Sequence, residues 1–147
     1  MPISQNATFS GVAEPDKEFA HPPGASIARL LRSGIRTTGW EVSGIENWLD
    51  GGWEIDCVKG EARLQVVLAA LTDQKGWMLQ ISPLRYPGII GRLLGVCPSA
   101  TPDQVQSLAT EVSSILLQSS SFKDFRWCWD GFPDDRPATS EPMPPPR

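Results

Sequence analysis

The sequence predicts an α+β domain: a two-layer sandwich in which an antiparallel meander packs on two main helices, in the order α-β-β-β-β-α-β. Three observations predict it. One stretch near each end carries apolar residues at helical spacing. Between them, shorter stretches alternate apolar with polar residues and are separated by turn residues. A last alternating stretch follows the second helical one. Helices flanking a meander can cover its apolar face, and the last strand then returns to the sheet by a crossover, right-handed by rule.

The first helix is expected from about Gly24 to Thr38. Ile27, Leu30, Leu31, Gly34 and Ile35 make one apolar stripe, with Arg29, Arg32 and Arg36 on the other faces. Pro22-Pro23 suits the turn into the helix and its first position. Gly39 suits the left-handed residue after the helix, with Trp40 as the apolar contact behind it. A short strand is expected over 39–44. Residues 46–52, ENWLDGG, read as a loop punctuated by Asp50-Gly51-Gly52.

In 53–58 Trp53, Ile55 and Cys57 alternate with Glu54 and Asp56, the pattern of a half-buried strand. Lys59-Gly60 makes the hairpin turn. Residues 62–71 place Leu64, Val66 and Leu68 on one face and become apolar on both after Val67, which suits a central strand. Residues 77–82 turn Trp77, Leu79 and Ile81 inward. Thr101-Pro102-Asp103-Gln104 is a capping-box start for the second helix. Its stripe is Val105, Leu108, Ala109, Val112, Ile115 and Leu116, and the serines at 119–121 end it. The last strand, 124–129, sets Phe125, Trp127 and Trp129 opposite Arg126 and Cys128.

A chain of 147 residues with 40% hydrophobic and 20% charged residues can bury one core. The expected organisation is a flexible N-terminal segment over 1–21, a single α+β domain over 22–132 and a disordered proline-rich tail over 133–147. Residues 131–147 hold six prolines and few apolar side chains, too few to offset the entropy of ordering. Residues 84–100, LRYPGIIGRLLGVCPSA, fit neither pattern. Tyr86, Ile89, Ile90, Leu93 and Leu94 have helical spacing, but three glycines weaken a helix there. The segment reads either as a short helix capping the core or as an apolar patch framed by Arg85 and Arg92.

Six tryptophans and one histidine dominate the functional reading. His21 alone supports neither a histidine metal site nor a positioned catalytic base. Cys57, Cys97 and Cys128 are widely spaced, odd in number and outside any CxxC pair, which fits reduced thiols in a cytoplasmic protein. No zinc spacing, calcium loop, phosphate loop or serine-nucleophile motif is present, so no cofactor and no metal is expected. No stretch approaches the ~20 apolar residues of a membrane span, and no membrane partner is expected.

Between Pro23 and Asp130 there are eleven acids against ten bases, so the domain lacks the basic footprint of a nucleic-acid binder. The aromatic residues of the last strand are accordingly read as core rather than as a base-stacking platform.

The charges segregate. Residues 41–61 hold Glu41, Glu46, Asp50, Glu54, Asp56 and Glu61 against Lys59 alone. Such a stretch repels nucleic acid and attracts a basic partner. The expectation is a non-enzymatic protein-binding domain that acts by occlusion through this acidic face, as a toxin-neutralising immunity protein would. Its expected contact residues are Trp48, Asp50, Glu54, Asp56, Tyr86, Ile89, Ile90, Arg92 and Leu93. Two alternatives stand beside it. The helix–meander–helix–strand order with an acidic balance resembles type III secretion chaperones, which implies a homodimer with 84–97 as its surface. The other is a small-ligand binder or enzyme whose pocket is walled by tryptophans, with Asp50, Glu54 and Asp56 as acid, base or cation ligands.

Overall fold

A computed structural model of the chain describes residues 4–12, 23–49, 51–71, 76–84, 100–133 and 137–145. Among the described residues seven strands form one antiparallel sheet and two helices pack against it, the α+β architecture the sequence predicts. The elements are β1 (Gln5–Gly11), α1 (Ala25–Thr37), β2 (Glu41–Val42), β3 (Glu46–Trp48), β4 (Gly52–Lys59), β5 (Ala62–Ala70), β6 (Gly76–Pro83), α2 (Pro102–Gln118) and β7 (Phe122–Trp129). The strand order is β2-β4-β5-β6-β1-β7, with β3 also paired to β4.

Two elements differ from the sequence reading. The segment expected to be flexible contributes β1, which lies between β6 and β7 and pairs with both. Ala7 and Phe9 enter the core, while Gln5 and Asn6 are fully buried amides. The helix-first order shared with secretion chaperones is therefore not the order observed. Residues 46–48, expected in a loop, pair with β4 through Glu46–Glu54, Asn47–Trp53 and Trp48–Gly52. Leu49, at φ 50°, begins the turn back. The tail also departs from expectation, since Thr139 exchanges backbone hydrogen bonds with Trp127.

Local chemistry explains the helix ends. Thr101 accepts from the Gln104 amide at 3.2 Å while the Gln104 side chain accepts from the Thr101 amide at 2.9 Å, closing the capping box. At the start of α1, Gly24 takes φ 98°, and an added Cβ would meet the Trp77 ring at 2.6 Å. The helix thus begins after Gly24 rather than at the prolines. It ends with Gly39 at φ 97°, whose amide reaches the Arg36 carbonyl.

The core lies between the helices and one sheet face. Leu31, Ile35, Leu108, Val112 and Leu116 meet Ile55, Leu64, Leu68, Trp77, Leu79 and Ile81 in one cluster. The helices touch at Gly34, where a Cβ would lie 2.6 Å from Ile115. Glu111 links them at the rim, its Oε2 accepting from the Trp40 indole at 2.7 Å and the Thr38 hydroxyl at 3.0 Å. In β7 the register slips by one residue opposite Phe9. Asp124 takes φ 60° at this bulge. Phe125 then stacks on Phe9, with centroids 5.4 Å apart. Phe125 and Trp127 are buried, as the core reading expects, while Trp129, read with them as core, is half-buried at the edge of the cluster.

Candidate binding face on the sheet

Strand alternation sends every second side chain of β4 away from the helices. Trp53, Ile55 and Cys57 are buried inward, so Glu54, Asp56 and Val58 project from the other face. Register extends that face across the sheet. Glu46 stands directly opposite Glu54, and Glu41 opposite Val58. On the β5 side Gln65 lies opposite Asp56 and Val67 opposite Glu54. Among the described residues no helix covers this face, because both helices contribute to the core cluster on the other. Glu41 and Glu46 are exposed, while Glu54, Asp56 and Trp48 are half-buried.

Hydrogen bonds hold Glu54 and the backbone of Asp56 in place. Glu54 Oε2 accepts from Gln65 Nε2 at 2.8 Å. The Asp56 backbone is bracketed by Ser43: the Asp56 amide donates to Ser43 Oγ and the Ser43 amide donates to the Asp56 carbonyl, both at 2.9 Å. Asp56 Oδ1 is buried and has no hydrogen-bond partner among the described residues. The Glu54 carboxyl is raised above its ordinary value, first by burial and then by the charges of Asp56 and Glu46.

The only cation of residues 41–61 is turned to the other side. Lys59 Nζ donates to the Thr38 carbonyl at 3.1 Å, at the C-terminal end of α1, and sits 5.7 Å from the centre of the Trp40 ring. A cation at a helix C-terminus complements the helix dipole. Lys59 is thereby used in joining β4 to α1; on the face bearing Glu41, Glu46, Glu54 and Asp56 the register sets one base, Arg63, opposite Val58, so acids outnumber bases there.

Of the expected contact residues, the structure brings together Trp48, Glu54 and Asp56 on one face. Trp48 lies opposite Gly52, where an added Cβ would fall 2.2 Å from the Leu68 carbonyl oxygen. Asp50, Tyr86, Ile89, Ile90, Arg92 and Leu93 lie outside the described residues, as do His21, Cys97 and, apart from Leu84, the stretch expected as a dimer surface. Glu46 was not among the expected contacts. Its signal would have been a β3–β4 hairpin, which the glycines at 51 and 52 hid behind a loop pattern.

Two clefts lie elsewhere. One, of about 580 Å³, runs between the helices and is lined by Leu30, Gly34, Thr38, Glu111, Ile115 and Gln118. The other, of about 530 Å³, lies by the ends of β1 and β7 and includes Thr8, Gly11, Lys123 and Arg126. Neither is lined by Trp48, Glu54 or Asp56. Among the described residues no group of three or more His, Cys, Asp or Glu side chains is arranged to hold a metal ion. Burial, with smaller contributions from Asp56 and Glu111, pushes the Cys57 thiol up to about 12, so this group is not a nucleophile near neutral pH. Among the described residues no helix is long and apolar enough to cross a membrane. No protein-family model and no curated protein sequence matches the chain.

Proposed function

We propose that the chain is a protein-binding domain that docks a cationic partner on the helix-free face of its sheet. The observation that carries this reading is the turning of Lys59 to α1, which leaves Glu41, Glu46, Glu54 and Asp56 on a face where the register sets Arg63 against them, opposite Val58. Placing Glu46 opposite Glu54 costs stability, because like charges at a direct cross-strand position repel. A basic partner relieves that repulsion and is steered to the face by its field. Trp48, half-buried beside the acids, supplies an apolar anchor of the type enriched at interface centres. The corresponding action is occlusion: the acidic face covers a basic cleft on the partner, as in a toxin-neutralising immunity protein. The test uses the tagged full chain as bait at low and high salt. One stoichiometric partner held at low salt and released at high salt supports the reading, since exposed charge pairs are screened. Capture that salt does not change argues against it.

A second reading rests on the raised carboxyl of Glu54 beside Asp56, a pairing that can exchange a proton with a bound small molecule. It predicts a ligand-dependent rise in melting temperature that disappears in Glu54→Gln.

A further inference from the structure

The proline-rich end of the chain is held by a specific set of donors. Beyond the Thr139–Trp127 pairing, the Met143 carbonyl accepts from Gln5 Nε2 at 2.9 Å and from the Trp129 indole at 3.3 Å. The Pro144 carbonyl accepts from the same indole at 2.9 Å. Gln5 is fully buried, and its position is fixed by pairing with Ile81 on one side and Trp129 on the other. A single indole shared by two successive carbonyls, with a second donor on the first of them, matches what a proline-rich backbone offers. Such a segment presents carbonyls and few N–H groups, and its extended conformation is set before binding.

We infer that Gln5 and Trp129 form a receptor for proline-rich peptide backbone, which the chain fills with its own residues 143–144. The site is distinct from the acidic face, because Gln5 and Trp129 lie in the sheet row that contains Ile81, Val66 and Ile55 and so point toward the helices. The occupant from the chain itself is an incomplete match. Among the described residues Gln5 Oε1 is buried without a partner, and Pro144 and Pro145 have no N–H to give it. The tail is therefore an exchangeable occupant, favoured chiefly by being tethered, since a short tether supplies an effective concentration of about millimolar. The ligand class is a proline-rich peptide in which a non-proline residue precedes a proline, as Met143 does here.

The test uses the full chain in two measurements. In the first, Trp129→Phe keeps a ring but removes the indole N–H. Exchange of the Thr139 amide with solvent should then rise about tenfold, the change expected when the one donor shared by the Met143 and Pro144 carbonyls is removed. The Leu79 and Ile81 amides should hold their rates, which a general loss of stability would not allow. In the second, Thr139→Pro removes the amide that donates to Trp127 and loosens the tail. A free peptide of sequence TSEPMPPPR should then shift the Trp129 indole N–H resonance saturably. Adding Trp129→Phe to that variant should weaken binding, followed on the Gln5 side-chain amide, by about tenfold. Unchanged Thr139 exchange in Trp129→Phe, or a Trp129 resonance indifferent to the peptide in Thr139→Pro, would overturn the inference.

Discussion

Glu54→Gln should make the protein more stable at neutral pH, although it removes a charged hydrogen-bond acceptor. Glu54 faces Glu46 across the β3–β4 pair and shares its strand face with Asp56. A directly opposed like-charge pair costs on the order of 0.2–1 kcal/mol. Both Glu54 and Asp56 are partly exposed, so solvent screening keeps the value toward the lower part of that range. The amide oxygen of glutamine can still accept from Gln65 Nε2, at some loss because bonds to a charged acceptor are stronger. The expected net gain is about 0.5 kcal/mol, or about 1–2 °C in melting temperature for a chain of this size.

The dependence on pH identifies the cause. Burial and the neighbouring acids raise the Glu54 carboxyl in the folded state. Folded protein therefore binds the proton more readily than unfolded chain, and stability falls as pH rises through the interval between the two values. The penalty is complete above the raised folded value and absent below the ordinary unfolded one. Urea unfolding of wild type and Glu54→Gln at pH 7 and at about pH 3, below the ordinary carboxylate range, reads this directly. A variant less stable than wild type at pH 7, or a gain that persists undiminished at the acid pH, would refute the reasoning.

Three further outcomes follow from the packing and the caps. Gly52→Ala should destabilise by about 1–3 kcal/mol or more in urea unfolding, because the new Cβ would meet the Leu68 carbonyl at 2.2 Å and force β4 from β5. Thr101→Ala should cost about 1 kcal/mol by the same measurement, since it removes the acceptor of the Gln104 amide at the start of α2. Cys57, fully buried and with its thiol pushed up to about 12, should resist alkylation at about pH 8 in the folded protein and react at once in denaturant, as mass spectrometry would show.

The parts of the fold legible in the sequence are those whose signal is local. The α2 cap occupies four consecutive residues, and the alternation of Trp53, Ile55 and Cys57 lies within one strand. The same alternation placed Glu54 and Asp56 on one face. β1 was not legible because its interior positions look wrong for a central strand. Gln5 and Asn6 are amides, and their buried donors are met by residues more than a hundred positions away: Met143 for Gln5 and Gly131 for Asn6. Only Ala7 and Phe9 carry the apolar pattern, which is too short to distinguish a strand from a loose end. The proline-rich tail misled for a related reason. Its composition cannot bury apolar surface of its own, but it does not need to, since it is held through carbonyls by donors on β1 and β7. On the acidic sheet face, the position of Glu46 and the turning away of Lys59 both depend on which strands pair and how, and pairing is a property of the assembled sheet.

The central claim is that the acidic sheet face is the surface that meets a partner. The most direct measurement is a side-by-side capture from native lysate at low salt with wild-type chain and with the full chain carrying Glu46→Gln, Glu54→Gln and Asp56→Asn as baits. Wild type should retain a stoichiometric basic partner, and the amide variant, at least as stable to heat, should lose it. Equal capture of the same partner by both baits would mean that the partner does not dock on the acidic face.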